Sequence, residues 1–338
     1  MIPAADLEDI LDRTEPLWHE MRGQRLFVTG GTGFFGRWLL GSFLHINDRL
    51  NLGARAWVLS RIVHNSDHPA LHFLHGRVTD FDFPSGQFSH IVHGATTAAE
   101  ETFRGEPPLS KIDTVAWGSR RVLDFAAACG ARKFLLTSSG NAYGLMPDGK
   151  RAFHEDDLCA PDLNHPAASA LGEAKRMAEL LARIYADNHG FEAKIGRCFT
   201  FVGPHLPLDI HYAIGNFIRD ALAGGPVMVE GDGSPIRSWM YMTDLTVWLW
   251  TLLFRGEPNR LYNVGSGEAV SVGEAAERVA RVAGTTVAYH RRPETRATAS
   301  PTTYVPNVDR ITDELGVERT VGLDDAISKT LDYFRHAV

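Results

Sequence analysis

The sequence predicts an α/β fold built on a doubly wound parallel sheet, and three observations carry that expectation. Short apolar runs of strand length alternate with longer runs of helical period from residue 25 to about residue 199. The first strand–helix junction, RLFVTGGTGFFGRWLLGSFL at 25–44, contains a GxxGxxG turn at Gly30, Gly33 and Gly36. After Gly203-Pro204 the rhythm breaks into short runs separated by turn residues such as GDGSP. A Rossmann-type sheet with a smaller, discontinuous C-terminal lobe is therefore expected.

In chain order, Leu7, Ile10, Leu11, Leu17, Trp18 and Met21 recur at near-helical spacing, which predicts a helical extension over 1–22 packed against the body. Asp6, Glu8, Asp9, Asp12 and Glu15 interrupt any apolar run there, so the segment is neither a signal peptide nor an anchor. Strands are expected at 25–29, 55–60, 71–75, 90–93, 133–138 and 192–199, with helices at 33–46, 109–129 and 168–189. A further helix is expected near 211–223. The dinucleotide-type domain is assigned to 23–202, with 237–262 returning to it, and the lobe to 203–236 and 263–338.

Composition narrows the partners. With 338 residues, 44% hydrophobic and 22% charged, the chain is an ordinary globular one, and its net charge of −7 argues against a nucleic-acid or membrane surface. No stretch approaches the roughly 20 apolar residues of a membrane span. Cys129, Cys159 and Cys198 are odd in number and scattered, so no disulfide framework is implied and a reducing cytoplasm is expected.

The glycine turn carries the first chemistry. Glycine is needed where the turn is tight, where backbone approaches a pyrophosphate and where helix meets strand, and the helix N-terminus then presents free N–H groups to phosphate. Where the second strand ends, ARAWVLSRI places Ser60 and Arg61 at the position that an acidic residue takes in NAD-selective sites. Serine and arginine suit a 2′-phosphate, so NADP is preferred over NAD. Asp80, after the third strand, is either an acceptor for the adenine amino group or a loop cap.

His64, His68 and His72 have i, i+4, i+8 spacing, with His75 beyond, but Pro69 breaks such a helix and the run alternates as a strand. No metal site is expected. Glu155, Asp156 and Asp157 are read as a loop or helix-start cluster.

Further segments fall in a fixed order: HIVHGAT at 90–96, LLTSSGNAYG at 135–144, GEAKRMAE at 172–179, GRCFTFVGP at 196–204, GDGSPIRSWMYMTDL at 231–245 and YNVGSGE at 262–268. This succession resembles the extended short-chain dehydrogenase/reductase family, in particular its NAD(P)-dependent epimerase/dehydratase group acting on nucleoside-diphosphate sugars, from about residue 24 to the C-terminus. The resemblance implies that Ser139 is the active-site hydroxyl, Lys175 the lysine of the YxxxK motif and Arg237 the diphosphate-binding arginine. It also implies cofactor contacts at Gly30, Gly33, Phe34, Phe35, Gly36, Ser60, Arg61, Val78, Asp80, Gly94, Ala95 and Lys175. Asn141, Thr200, His211 and Asn216 would join Arg237 around the substrate.

Two departures matter. The tyrosine of YxxxK is Leu171 here. A phenol that moves the hydroxyl proton is thus missing, and such a group is worth roughly 10²–10⁴ in rate. Tyr143, Ser139, His211 or a relayed water would have to replace it, with Tyr143 the stand-in unless it is a packing residue. Otherwise the chain binds its ligands with little turnover, or Leu171 inactivates an ordinary site. The acid–base pair that 4,6-dehydratases of the group carry just after the Ser/Thr is Gly140-Asn141 here, which disfavours dehydration.

The expected function is therefore an NAD(P)-dependent oxidoreductase or epimerase of a nucleoside-diphosphate sugar. The alternatives are a catalytically impaired binding protein and a carbonyl reductase of a non-sugar substrate; against the latter stands Arg237. A homodimer through helices 109–129 and 168–189 is expected from their second apolar faces.

Overall fold

A computed structural model describes residues 1–97, 105–210, 212–290 and 302–336. Seven parallel strands form the central sheet: β1 (Arg25–Thr29), β2 (Arg55–Ser60), β3 (Leu71–His75), β4 (His90–His93), β5 (Lys133–Ser139), β6 (Glu192–Cys198) and β11 (Arg260–Val264). Their spatial order is β11-β6-β5-β4-β1-β2-β3. The order reverses between β1 and β4, and a doubly wound sheet opens its ligand crevice at such a switch point, beyond the C-terminal strand ends.

The central strands are largely apolar because both faces are covered, and the polar side chains buried in them, such as His93 and Arg197, have hydrogen-bond partners. Phe27, Phe88, Phe125 and Phe134 fill one face beneath the helices Gly118–Cys129 and Pro166–His189. On the other face lie Phe34–Arg49 and Met242–Arg255. The latter, MTDLTVWLWTLLFR, is buried on all sides, because the N-terminal segment covers its outer face. Trp18, in the 3₁₀ turn Glu15–Met21 after the helix Ala4–Thr14, packs edge-on against Trp250 at 4.8 Å and Phe254 at 5.2 Å. Buried Asp6 ties that helix to the C-terminal part, accepting from the Tyr241 hydroxyl and from Lys329, each at 2.7 Å.

Past Cys198 the strands are short: β7 (Phe201–Val202), β8 (Val227–Val229), β9 (Ile236–Arg237), β10 (Met240–Tyr241), β12 (Val270–Ser271), β13 (Val287–Tyr289) and β14 (Thr303–Tyr304). They form small two- and three-stranded sheets, of which β12-β9-β14 closes over the C-terminal ends of β5 and β6. The helix expected at 109–129 is interrupted: Pro108–Ile112 passes through a π-helical turn, Asp113–Trp117, before Gly118–Cys129. Among the described residues no helix is long and apolar enough to cross a membrane.

Candidate active site

A cleft of about 1800 Å³ runs across the C-terminal ends of β1, β2, β4, β5 and β6. Its geometry starts at two glycines. Gly30 leaves β1 with φ +73°, and a Cβ there would lie 2.5 Å from the Gly94 carbonyl. A Cβ on Gly36 would lie 2.2 Å from the Gly30 oxygen, so only glycine lets the helix Phe34–Arg49 seat its N-terminus on the turn. Gly33, Phe34 and Phe35 line the cleft there, and the bare backbone fits a pyrophosphate. Gly36 itself lies behind the turn.

At the end of β2, Ser60 and Arg61 line the cleft, joined by Arg77 and Val78 after β3. Asp80 does not: it is exposed, and its backbone N–H closes a turn onto the Arg77 carbonyl at 3.2 Å. It therefore stands outside the cleft lining, whereas the sequence had set it against the adenine.

Gly94 and Ala95 follow β4, where His93 organises the floor. The Thr29 hydroxyl donates to His93 Nδ1 at 2.7 Å, and Nε2–H donates to Ser119 Oγ at 2.8 Å, whose hydroxyl is used on the Val115 carbonyl. The Ala95 N–H donates to Thr29 Oγ1 at 3.1 Å. One buried imidazole thus connects the glycine-turn strand to the π-helical turn. Burial, then the Lys175 charge, pushes His93 down to about 3, so it stays neutral.

Ser139 ends β5, and its Oγ accepts from the Asn141 N–H at 3.2 Å. Lys175, on the helix Pro166–His189, is buried and donates from Nζ to the Thr137 carbonyl at 2.8 Å. Burial depresses its pKa to about 8. Glu179, one turn on, is committed elsewhere: it takes Arg197 Nε at 2.9 Å and Nη2 at 2.7 Å, and the Ser138 hydroxyl. Leu171 lines the cleft one turn before Lys175 and packs against Val115, Ala116 and Ala174.

Tyr143 does not face the cleft. The 3₁₀ turn Gly140–Tyr143 carries its ring inward, stacked on Phe153 at 4.7 Å with the Arg197 guanidinium 4.2 Å from its centre. Its hydroxyl donates to Asn263 Oδ1 at 2.9 Å, and burial raises its pKa well above the ordinary tyrosine range. It is a packing residue, and the stand-in role considered from sequence is withdrawn.

At the far end the cleft is lined by Asn141, Thr200 and Arg237. The Thr200 hydroxyl is spent on the Ser238 carbonyl. Arg237 Nη1 donates to the carbonyls of Ile236 at 2.8 Å and Thr302 at 2.9 Å, and among the described residues no carboxylate pairs with it. Asn216 does not line the cleft; its Oδ1 accepts from Arg219 at 3.1 Å. His211 lies outside the described residues.

Tyr304 escaped the sequence reading. It stands in register with Arg237 across β14 and β9, with its ring 4.7 Å from Phe199 and its hydroxyl against Gly140 beside Ser139. No local pattern marks it, because its place depends on a strand pairing between distant segments. The histidines seen as a spacing pattern do not converge: His68 meets Asp48 at 3.0 Å, while His64 packs on Phe73 and His72 on Trp57. Among the described residues no group of three metal-ligating side chains forms.

The model of the NAD dependent epimerase/dehydratase family matches residues 26–265. The chain is 28% identical over 317 residues to the low-salt glycan biosynthesis protein Agl12 of Haloferax volcanii, covering 91% of this chain and 98% of that one. It is 25% identical to a dTDP-glucose 4,6-dehydratase of Streptomyces niveus, over 92% of this chain and 93% of the other. The UDP-glucose 4-epimerase of Thermotoga maritima, solved with UDP-glucose, shares the fold with a TM-score of 0.76 at 21% identity, covering 93% of this chain and 99% of that one.

Proposed function

Because the chain belongs to the NAD dependent epimerase/dehydratase family, we propose that it is a nicotinamide-dependent oxidoreductase or epimerase of a nucleoside-diphosphate sugar, working by hydride transfer at a sugar carbon. One observation carries this reading: a single cleft runs from the glycine turn, past Ser139 and Lys175, to Arg237, a cation with no acidic partner among the described residues. A diphosphate would supply the missing charge. Bound nicotinamide would supply a hydride acceptor. Proteins of this fold solved with NAD and with UDP-glucose support the ligand classes.

NADP is the preferred cofactor, since Ser60, Arg61 and Arg77 line the ribose end with no carboxylate among the cleft residues of β2 or β3. Dehydration by an acid–base pair after Ser139 is disfavoured. A Cβ on Gly140 would lie 2.6 Å from the Tyr304 hydroxyl and 2.8 Å from Phe199, so a side chain there would have to displace both rings. A second copy of the chain is the proposed partner, through Met177, Leu180 and Ile184, exposed on the helix Pro166–His189, and Trp117, exposed at the end of the π-helical turn. The three free thiols support a reducing, cytoplasmic setting.

The test is nicotinamide absorbance during incubation with NAD or NADP, in either redox state, with UDP-glucose, UDP-glucuronic acid, dTDP-glucose and their 4-keto forms, together with chromatography of the sugar products. Wild type and Leu171→Tyr run in parallel. Turnover in the wild type is the expected result. Leu171 favours a second reading, binding with little turnover: a silent wild type beside an active Leu171→Tyr would establish it. Unchanged affinity in Arg237→Ala would point instead to a carbonyl reductase of a non-sugar substrate.

A further inference from the structure

We propose that Lys175 itself moves the reaction proton: its Nζ, as the neutral amine, takes the proton of the sugar hydroxyl, directly or through one water, in place of the phenol absent at Leu171. This rests on the functional reading above. In the oxidative direction the C–H hydrogen leaves with its electron pair to bound nicotinamide, the O–H proton goes to Nζ, and a carbonyl forms. Reduction returns the proton from the ammonium.

Among the described groups at the Ser139 end of the cleft, the geometry points to this lysine. Tyr143 is turned into the core, and the Thr200 hydroxyl is tied to a carbonyl. Ser139 can orient a hydroxyl but has no base beside it to hold a proton: His93 is behind the strands, bonded on both ring nitrogens. Tyr304 reaches the Ser139 end, yet burial holds its phenol firmly protonated.

Lys175 differs in its surroundings. Positions 171 and 175 share one helix face a turn apart, so the amine is next in line behind the missing phenol. Its hydrogen-bond partner is a neutral carbonyl, Thr137 O, rather than a carboxylate. Of the two acids within about a turn, Glu173 pairs with Arg176 at 3.6 Å and Glu179 is held by Arg197 Nε and Nη2, so neither carboxylate bonds the amine, and the upward pull of the Glu179 charge is outweighed by burial. The other titratable groups facing it are the Cys198 thiol, which burial keeps protonated, and the neutral His93. Lys111 and Asp113, on the segment packed across the helix, do not perturb it. A buried ammonium bonded to a neutral carbonyl rather than to a carboxylate gives up its proton readily, and burial depresses it to about 8. An amine so tuned can both accept and return a proton near neutral pH.

The test has two arms on the full chain. Nitrogen-15 lysine NMR, with the Nζ signal identified by its loss in Lys175→Arg, should show a titration midpoint near pH 8; a midpoint above 10 overturns the proposal. With whichever of UDP-glucose, UDP-glucuronic acid or dTDP-glucose reacts, single-turnover rates should rise about tenfold per pH unit below that midpoint and level off above it. Lys175→Ala should be silent and recover with added primary amines, faster as the amine becomes more basic. Recovery independent of amine basicity would mean a lysine that only holds the ribose, and overturns the proton role while the functional reading stands. No turnover in either wild type or Leu171→Tyr sinks the functional reading and this inference with it.

Discussion

Arg197 Nη2 donates to Glu179 Oε2 at 2.7 Å directly behind the Ser138–Ser139 strand end, with both side chains almost wholly buried. The pair fixes how the helix that carries Leu171 and Lys175 sits on β5 and β6. It also burdens the fold, because each ion is out of water and depends on the other.

Glu179→Gln should therefore destabilise the protein by about 3–5 kcal/mol, since Arg197 keeps its charge and loses its partner. Urea unfolding of Glu179→Gln beside the double variant Glu179→Leu/Arg197→Met is the check. The double variant should recover much of the loss. A single variant as stable as wild type would show that the pair does not hold the helix.

Cofactor choice is expected to turn on Ser60. A carboxylate at that position would repel a 2′-phosphate and accept from a ribose hydroxyl. Ser60→Asp should raise the ratio of NADH to NADPH affinity by about tenfold or more in fluorescence titrations. An unchanged ratio would mean that the cofactor ribose lies elsewhere.

The exposed apolar stripe should join two copies. Leu180, on the helix Pro166–His189, is 52% exposed, and Trp117, at the end of the π-helical turn that leads into the neighbouring helix, is 51% exposed. Sedimentation equilibrium should find a dimer in the wild type and a monomer in Leu180→Asp. A monomeric wild type at tens of micromolar would end the idea.

Acid should weaken the fold through His93. In the unfolded chain this imidazole takes a proton near pH 6.5, whereas in the fold it resists down to about 3. Between those values the unfolded state binds more protons, so stability falls as pH falls, by about 1.4 kcal/mol per pH unit for this one group. Unfolding measured at pH 7, 5 and 4 should show a shallower acid loss in His93→Gln than in wild type. Parallel curves would place the acid sensitivity in other groups.

What the sequence determined by itself is the parallel sheet, its glycine turn and the family of its motifs. These depend on local periodicity and on backbone positions that tolerate no side chain, both of which are written in adjacent residues. The loss of a phenol at Leu171 was equally visible, because motif spacing along one helix needs no third dimension. Tertiary structure decided which side chains face the cleft. Tyr143 looked available but a 3₁₀ turn carries it against Phe153, and Asp80 sits exposed outside the cleft lining. Tyr304 came to Ser139 only through the pairing of β14 with β9. Glu179, one turn from Lys175, was claimed by Arg197 from another strand. Burial and long-range pairing set these outcomes, and with them the charge state of Lys175, because a proton's energy depends on everything packed around it rather than on its neighbours in sequence.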